Sequence, residues 1–228
     1  MSSIEFFAPA WKIDKKELAQ FEKLSEVFLA QNSKLNLSAI RDRDGVFTKH
    51  FLDSLFAARF LKSEKFDSIF DLGCGGGFPL LPLSIIFPKK NFWGIDSVQK
   101  KIAATREMSA DLNLKNVEFL PHRAEILAHE KKWREKFSAG VSRAFAPLKI
   151  TLEIGLPLLK IGGRFCVFRG PAENPGDRDL PEKFGGKLRE VFATKLPGGE
   201  KRQIWIFEKI APTAGKCPRR WSQIRAEK

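Results

Sequence analysis

Four glycines fall within five residues, Gly73-Cys74-Gly75-Gly76-Gly77, directly after the short apolar run SIFDL that carries Asp71. A glycine-rich turn between a strand and a helix lets a ligand approach the backbone closely, and in an open α/β sheet it lies where ligands bind. The dinucleotide fingerprint G-x-G-x-x-G needs its third glycine where this chain has Phe78, and no Gly-Lys-Ser/Thr follows to make a phosphate-binding loop. A carboxylate at Asp71 suits a ligand bearing an ammonium and a sulfonium. A pyrophosphate would favour the opposite local charge.

The string Asp71-Leu72-Gly73-Cys74-Gly75-Gly76-Gly77 resembles the first motif of class I S-adenosylmethionine-dependent methyltransferases. On that reading Asp71, Gly73, Gly75 and Gly77 face the cofactor. Asp96 stands 19 residues after Gly77 at the end of the next strand, where a carboxylate accepts from both ribose hydroxyls; capping the helix that starts at SVQKK is the alternative. After the third strand, Ala124 offers a backbone N–H to an adenine ring and Glu125 a carboxylate to its amine, unless Glu125 is only a first-turn helix residue. Arg143, in SRAFAP, falls at the end of the fourth strand, where the transferred methyl would sit. Beside a cationic cofactor it needs anionic company, expected from Asp71, Asp96 or RNA phosphate; pairing with an N-terminal helical cap is the alternative.

The methyl acceptor is narrowed by what is missing. Enzymes that methylate exocyclic amines carry Asn/Asp-Pro-Pro-aromatic after strand four, where this chain reads SRAF. Methylation at pyrimidine C5 needs a nucleophilic cysteine, yet Cys166 sits inside the apolar FCVF and Cys74 in the glycine turn. Guanine N7 is already nucleophilic and loses no proton, so alignment alone can carry the reaction without a general base.

Elements that would position these residues follow from periodicity. DKKELAQFEKLSEVFLAQ puts Leu18, Phe21, Leu24, Val27 and Phe28 on one helical face, with Asp14 and Glu17 spaced as a capping box. VFTKHFLDSLFAARFL repeats the pattern with Val46, Phe47, Phe51, Leu55 and Phe56. Strand-like runs at SIFDL, NFWGID, NVEFL, SAGVSRAF and GRFCVF then alternate with helical patterns at PLLPLSIIF, SVQKKIAATREMSADLN, AEILAHEKKWREK and PLKITLEIGLPLLK, predicting a doubly wound parallel sheet. The loop GPAENPGDRDLPEKFGG precedes LREVFATKL and RQIWIFEKI, which read as an antiparallel hairpin at the sheet edge. The fold expected is α/β, Rossmann-like and mostly parallel, with a helical N-terminal cap over residues 1–65, a methyltransferase domain over 66–210 and a basic tail over 211–228.

Forty Lys and Arg against 27 Asp and Glu give a net charge of +13, which makes nucleic acid the leading partner class. No apolar run reaches the length of a membrane span, and the opening residues do not read as a signal peptide. Three widely spaced cysteines and three histidines form no metal-ligand pattern, so reduced thiols, a cytoplasmic location and no metal are expected.

Taken in order, N36LSAIRDRDGVFTKHFLDSL55, DLGCGGGFPLLPL, GIDSVQKK, HRAE, VSRAF and KCPRR resemble the ribosomal RNA small-subunit methyltransferase G family, also called glucose-inhibited division protein B, over about residues 20 to 220. The resemblance implies a class I fold with a helical cap, S-adenosylmethionine as cofactor, a bacterial cytoplasmic location, and formation of 7-methylguanosine in 16S ribosomal RNA. By position it implies cofactor contacts at Gly73, Phe78, Ala124, Glu125 and Arg143, with Asp96 in the matching Asp-Ser turn. His50 and Asp53 fall on the family's His-x-x-Asp-Ser pattern, three apart on a helix and within reach of a mutual hydrogen bond. His50 is taken to shape the substrate site and Asp53 to lock the cap; no catalytic residue is assigned beyond the candidates His50 and Arg143. Leu80 replaces the family's usual glycine and Arg169 its usual lysine, a change of donor geometry that suits phosphate.

The substrate RNA, free or in a small ribosomal subunit particle, is expected to meet His50, Lys100, Lys101, Arg169, Arg219 and Arg220. The tail with Lys216, Arg225, Lys228 and Trp221 reads as an RNA clamp or as a solvated, disordered end. A monomer is expected. The rival readings are a class I methyltransferase acting on another RNA or a small molecule, and a catalytically inactive RNA-binding module of the same fold.

Overall fold

A computed structural model describes residues 11–173 and 179–226. Helix α1 (Lys15–Leu35) opens on the expected capping box: Asp14 accepts from the Glu17 N–H and the Glu17 side chain accepts from the Asp14 N–H. It buries Phe21, Leu24 and Phe28 and ends on Asn36 in a left-handed conformation. Asn32 then organises the turn that follows, donating to the Ile40 carbonyl at 2.7 Å and accepting from the Ser38 N–H at 2.8 Å.

The next helix is built from Arg43–Gly45 (α2), a wider π-wound stretch Val46–Leu52, and Asp53–Leu55 (α3), followed by Ala58–Leu61 (α4). Val46, Phe47, Phe51 and Leu55 are buried as the periodicity predicts.

Seven strands follow: β1 (Ser68–Leu72), β2 (Asn91–Ile95), β3 (Val117–Leu120), β4 (Phe137–Arg143), β5 (Leu159–Arg169), β6 (Gly186–Lys195) and β7 (Lys201–Lys209). Their order in the sheet is β3-β2-β1-β4-β5-β7-β6. The first five pair in parallel, and β7 runs antiparallel to both β5 and β6. The strand order reverses between β1 and β4, and such a switch point opens a crevice at the strands' carboxyl ends.

Crossover helices α5 (Leu80–Ile86), α6 (Gln99–Asp111), α7 (Ala124–Leu127) and α8 (Leu148–Gly155) cover the two faces. The N-terminal helices share one core with α5, α6 and the sheet, since Phe21, Phe28 and Phe51 pack in the same cluster as Ile69, Phe78 and Ile102. The cap is thereby fixed against the crevice.

One expected element is much shorter. The helical pattern AEILAHEKKWREK gives only Ala124–Leu127. Arg134 donates to the Ala128 carbonyl at 3.0 Å, and Glu135 turns left-handed so that its N–H reaches the Pro157 carbonyl at 2.9 Å. Isolated turns continue as far as the Arg134 N–H, which still reaches the Glu130 carbonyl, and long-range backbone bonds take over from Glu135 as the chain swings into β4.

The end of the chain is also folded as far as it is described. After β7 the chain returns across the sheet and forms α9 (Trp221–Arg225), with Ile224 buried in the core formed by Phe70, Ile154 and Trp205. Residues 211–226 are therefore not a solvated tail. Lys228, and part of the loop GPAENPGDRDLPEKFGG, lie outside the described residues.

Candidate active site

A cavity of about 700 Å³ opens at the switch point, between the ends of β1, β2 and β4 and the turn after α1. One end carries carboxylates just after β2 and on α7, the other a histidine–arginine cluster shared by the π-wound helix and β4.

The glycine loop forms its floor. Gly73 adopts φ +76, where a Cβ would stand 2.6 Å from the Phe145 ring, and its N–H donates to the Ile95 carbonyl at 2.8 Å. Gly75 adopts φ +50, and its N–H donates to Asp96 Oδ2 at 3.0 Å. Both conformations are costly for residues with a side chain. Gly77 is not part of the wall; a Cβ there would come within 2.8 Å of Leu81, so this glycine serves helix packing.

Asp71 corrects the sequence reading more sharply. It is wholly buried beneath the loop, off the cavity wall, and one carboxylate oxygen accepts from the Leu80 N–H at 3.0 Å. Burial pushes its pKa up to about 7, with the neighbouring charge of Asp96 adding to the rise. Asp71 therefore supports the start of α5 and offers no exposed carboxylate to a cationic ligand. Leu80, the departure from the family's usual glycine, supplies the N–H and is itself buried.

Asp96 does line the cavity. Its second oxygen accepts from the Val98 N–H at 2.8 Å, so one carboxylate ties the loop to the start of α6. The capping alternative is thus part of its role, and spare lone pairs remain on both oxygens. Ala124 and Glu125 lie in the same wall. Glu125 is paired with Arg123, whose guanidinium lies 5.0 Å from the centre of the Trp221 ring.

At the opposite end His50 stacks on Phe78, ring centres 4.4 Å apart and 10° from parallel. Arg143 Nη2 donates to His50 Nδ1 at 3.1 Å, and Nη1 donates to Asp53 Oδ2 at 3.0 Å and to the Lys49 carbonyl at 3.1 Å. A guanidinium can only donate, so Nδ1 is the bare nitrogen; Nε2–H then donates to Ser38 Oγ at 2.8 Å. Burial, reinforced by the charge of Arg143, lowers the His50 pKa to about 3. His50 is a neutral imidazole with both nitrogens engaged.

The carboxylate that pairs directly with Arg143 is Asp53, the cap pairing given as the alternative, because β4 aims the side chain at the N-terminal helices. His50 and Asp53 are bonded through the backbone, the Asp53 N–H donating to the His50 carbonyl, while their side chains do not make the mutual bond that the spacing suggested. The Arg143 fork fills the gap and holds both. Arg202 from β7 completes the cluster, its Nε 3.2 Å from Asp53 Oδ1, and Lys49 pairs with Glu200 at 3.1 Å.

Of the expected RNA contacts, His50 and Lys101 line the cavity and Lys100 does not. Arg169 is bound by Glu173 and by the Ala146 carbonyl, leaving its side chain 13% exposed and off the wall. Arg219 is committed to Glu153, a wholly buried carboxylate that takes its Nε and Nη2 donors at 2.8 Å each. A buried charge left without its partner is expensive, which explains why this arginine turns inward. Arg220 is exposed at the start of α9, away from the wall.

Ser38, Lys49, Arg123 and Arg202 belong to the site although no sequence feature marked them individually. Each lies beside a recognisable motif, in NLSAI, KHFLDSL, HRAE or the hairpin. Position beside a motif gives no direction for a side chain.

The three cysteines are free and buried. Burial pushes the Cys166 thiol up to about 12, and the Cys74 thiol is raised well above its ordinary value by burial and by Asp71 and Asp96. Among the described residues no group of His, Cys, Asp and Glu is arranged to hold a metal ion, and no helix is long and apolar enough to cross a membrane.

Comparison with known proteins agrees with this geometry. Residues 17–194 match the family described as GidB, rRNA small subunit methyltransferase G. The Ribosomal RNA small subunit methyltransferase G of Exiguobacterium sibiricum is 38% identical over 214 residues, 92% of this chain and 90% of that protein. Its counterpart in Lysinibacillus sphaericus is 36% identical over 213 residues, with the same two shares. Among solved structures, magnesium protoporphyrin IX methyltransferase from Synechocystis with bound SAM aligns at a TM-score of 0.56 and 14% identity, over 73% of this chain and 83% of that one. A chain of the Haloferax volcanii complex between Trm112 and a putative methyltransferase aligns at 0.60 and 15%, over 81% and 98%. At such identities these likenesses concern the fold alone, and that fold is the class I methyltransferase one.

Proposed function

This chain belongs to the rRNA small subunit methyltransferase G family and is an S-adenosylmethionine-dependent rRNA methyltransferase, and we propose that it methylates N7 of a guanine in 16S ribosomal RNA within this cavity. The observation that carries the choice of acceptor atom is that each imidazole and carboxylate in the wall already has a partner in the protein, those at the histidine–arginine end being held by Arg143. His50 Nδ1 is held by Arg143, Asp53 faces two arginines, Glu125 is paired with Arg123, and Asp96 is tied to the loop. N7 of guanine needs no base, whereas an exocyclic amine must shed a proton. The raised thiols of Cys74 and Cys166 likewise argue against attack on a pyrimidine ring.

The residues present suit the cofactor. Positive-φ Gly73 and Gly75 keep side chains out of the floor, and Asp96 retains lone pairs for ribose hydroxyls. Ala124 and Glu125 would meet the adenine, and Phe78 would flank the methionyl side. When bound, S-adenosylmethionine supplies an electrophilic methyl group on a sulfonium. His50 and Arg143, locked together on Phe78, would orient the acceptor base without exchanging protons. Lys49, Lys101 and Arg202 would place positive charge at the rim for RNA phosphates.

The reading includes a cytoplasmic monomer whose partner is 16S rRNA or a small-subunit particle, and a chain that divides near residues 65 and 210. The test is incubation with 16S rRNA, or with small subunits from a strain lacking the modification, followed by digestion and mass spectrometry. 7-Methylguanosine is expected. A methyl at another atom, or none in either substrate, defeats the reading.

A further inference from the structure

One wall of the cavity comes from a part of the chain beyond residues 17–194, the segment matched to the family. After β7 the backbone is pinned at successive points. Arg134 donates to the carbonyls of Thr213 at 2.7 Å, Ala214 at 3.2 Å and Cys217 at 2.8 Å. The His129 ring nitrogen meets the Pro218 carbonyl at 2.6 Å, so Nε2 carries the proton, and Arg219 is bound to buried Glu153. Ile224, 2% exposed, closes the sequence of anchors.

Trp221 stands between the last two of these anchors, with its backbone fixed on both sides and its side chain partly exposed in the cavity wall. Its ring faces the Arg123 guanidinium, which is in turn paired with Glu125. Trp221 therefore lies at the carboxylate end of the cavity, next to Ala124 and Glu125, and away from the His50–Arg143 cluster where the acceptor base would sit.

An indole held in place by flanking anchors presents a flat π-surface at little further cost in ordering, and planar aromatic groups favour such a surface. Guanidinium planes stack on purines in the same way. We infer that Trp221, seated on Arg123, is an adenine-binding residue of the cofactor site, so that the C-terminal segment is a working part of cofactor recognition. The inference rests on the cavity accepting S-adenosylmethionine. It stands in place of the sequence-based expectation that Trp221 belongs to an RNA clamp or a solvated end.

The experiment is calorimetry of the full-length protein with S-adenosylhomocysteine, together with steady-state kinetics on 16S rRNA. Failure of the unaltered protein to bind would remove the cofactor reading itself. If it binds, Trp221→Ala should weaken affinity about tenfold, and Trp221→Phe should stay within about threefold. The KM for S-adenosylmethionine should rise in Trp221→Ala while kcat and the KM for RNA stay near their original values. Unchanged affinity in Trp221→Ala, or an effect confined to the KM for RNA, overturns the inference. Tryptophan fluorescence decides the matter even where Trp221→Ala does not fold. Cofactor addition should quench emission in the unaltered protein, and Trp221→Phe should lose that quench; a quench that persists in Trp221→Phe overturns the inference.

Discussion

The guanidinium of Arg143 and the imidazole of His50 are joined at 3.1 Å with the arginine as donor, an arrangement that only a neutral histidine protonated on Nε2 can accept. Its pKa, lowered from 6.5 to about 3, makes this a statement about stability. Between those values the unfolded chain binds a proton that the folded chain refuses. The contribution of His50 is therefore complete above pH 6.5 and is lost as pH falls toward 3. Urea unfolding at pH 7.5, 5 and 4 should show the native protein losing up to a few kcal/mol on this account. His50→Gln, which never gains a proton, should show a shallower loss. Parallel pH dependences would remove His50 as the source.

Asp71 has the opposite sign. Its pKa is raised from 3.8 to about 7, so its favourable contribution is complete below pH 3.8 and is lost as pH rises through 7. Asp71→Asn keeps an acceptor for the Leu80 N–H and removes the buried charge. The variant should melt higher than the native protein at pH 8, by an amount worth on the order of 2 kcal/mol, with little difference at pH 4. Because Asp71 lies off the cavity wall, affinity for S-adenosylhomocysteine should be unchanged. A large loss of affinity would return this carboxylate to the ligand.

Asp96 makes the contrasting case. Removing its carboxylate in Asp96→Ala frees the Gly75 and Val98 N–H groups and strips the ribose side of its acceptor. Affinity for S-adenosylhomocysteine should drop by about tenfold to a hundredfold, as expected for hydrogen bonds to a charged group. Asp96→Asn, which still accepts from the loop, should fall between. Calorimetry measures both, and equal affinities across the three proteins would exclude a cofactor role.

Basic residues should divide by where their charge is spent. Arg219→Ala takes the guanidinium from buried Glu153, leaving the residue 219 N–H as a donor to it, and should destabilise the fold by about 3 kcal/mol, while the salt dependence of RNA binding stays as it was. Lys101→Ala, on the rim, should leave stability within about 0.5 kcal/mol. It should reduce the salt slope of RNA binding by about one. Filter binding across a salt series, read beside denaturant melts, separates the two outcomes. A changed slope in Arg219→Ala with an intact fold would reverse the assignment.

Much of the fold was legible because its signals are local. Alternation of apolar runs with helical periodicity gave the parallel sheet, and PGGEK between two strand-like runs gave the hairpin. The Asp14–Glu17 box set the start of α1. The pattern failed in AEILAHEKKWREK, where helical spacing persists but the Arg134 guanidinium and the Glu135 N–H also reach carbonyls outside the segment. Such long-range bonds leave no trace in periodicity.

The sequence alone determined the kind of ligand loop, the place of Asp96 after it and the polyanionic class of partner, because glycine conformation, chain spacing and net charge are properties of residue type. Only the tertiary structure decided which charges are free. Asp71 and Arg219 have the same composition as a ligand-facing carboxylate and an RNA-facing arginine, yet burial beneath α5 and pairing with Glu153 turn both inward. Conversely, Arg143 from β4, Asp53 from α3 and Arg202 from the last strand meet only once the sheet is assembled. The cost of an unpaired charge in a low-dielectric interior depends on neighbours far away in the chain, and those neighbours are set by the fold.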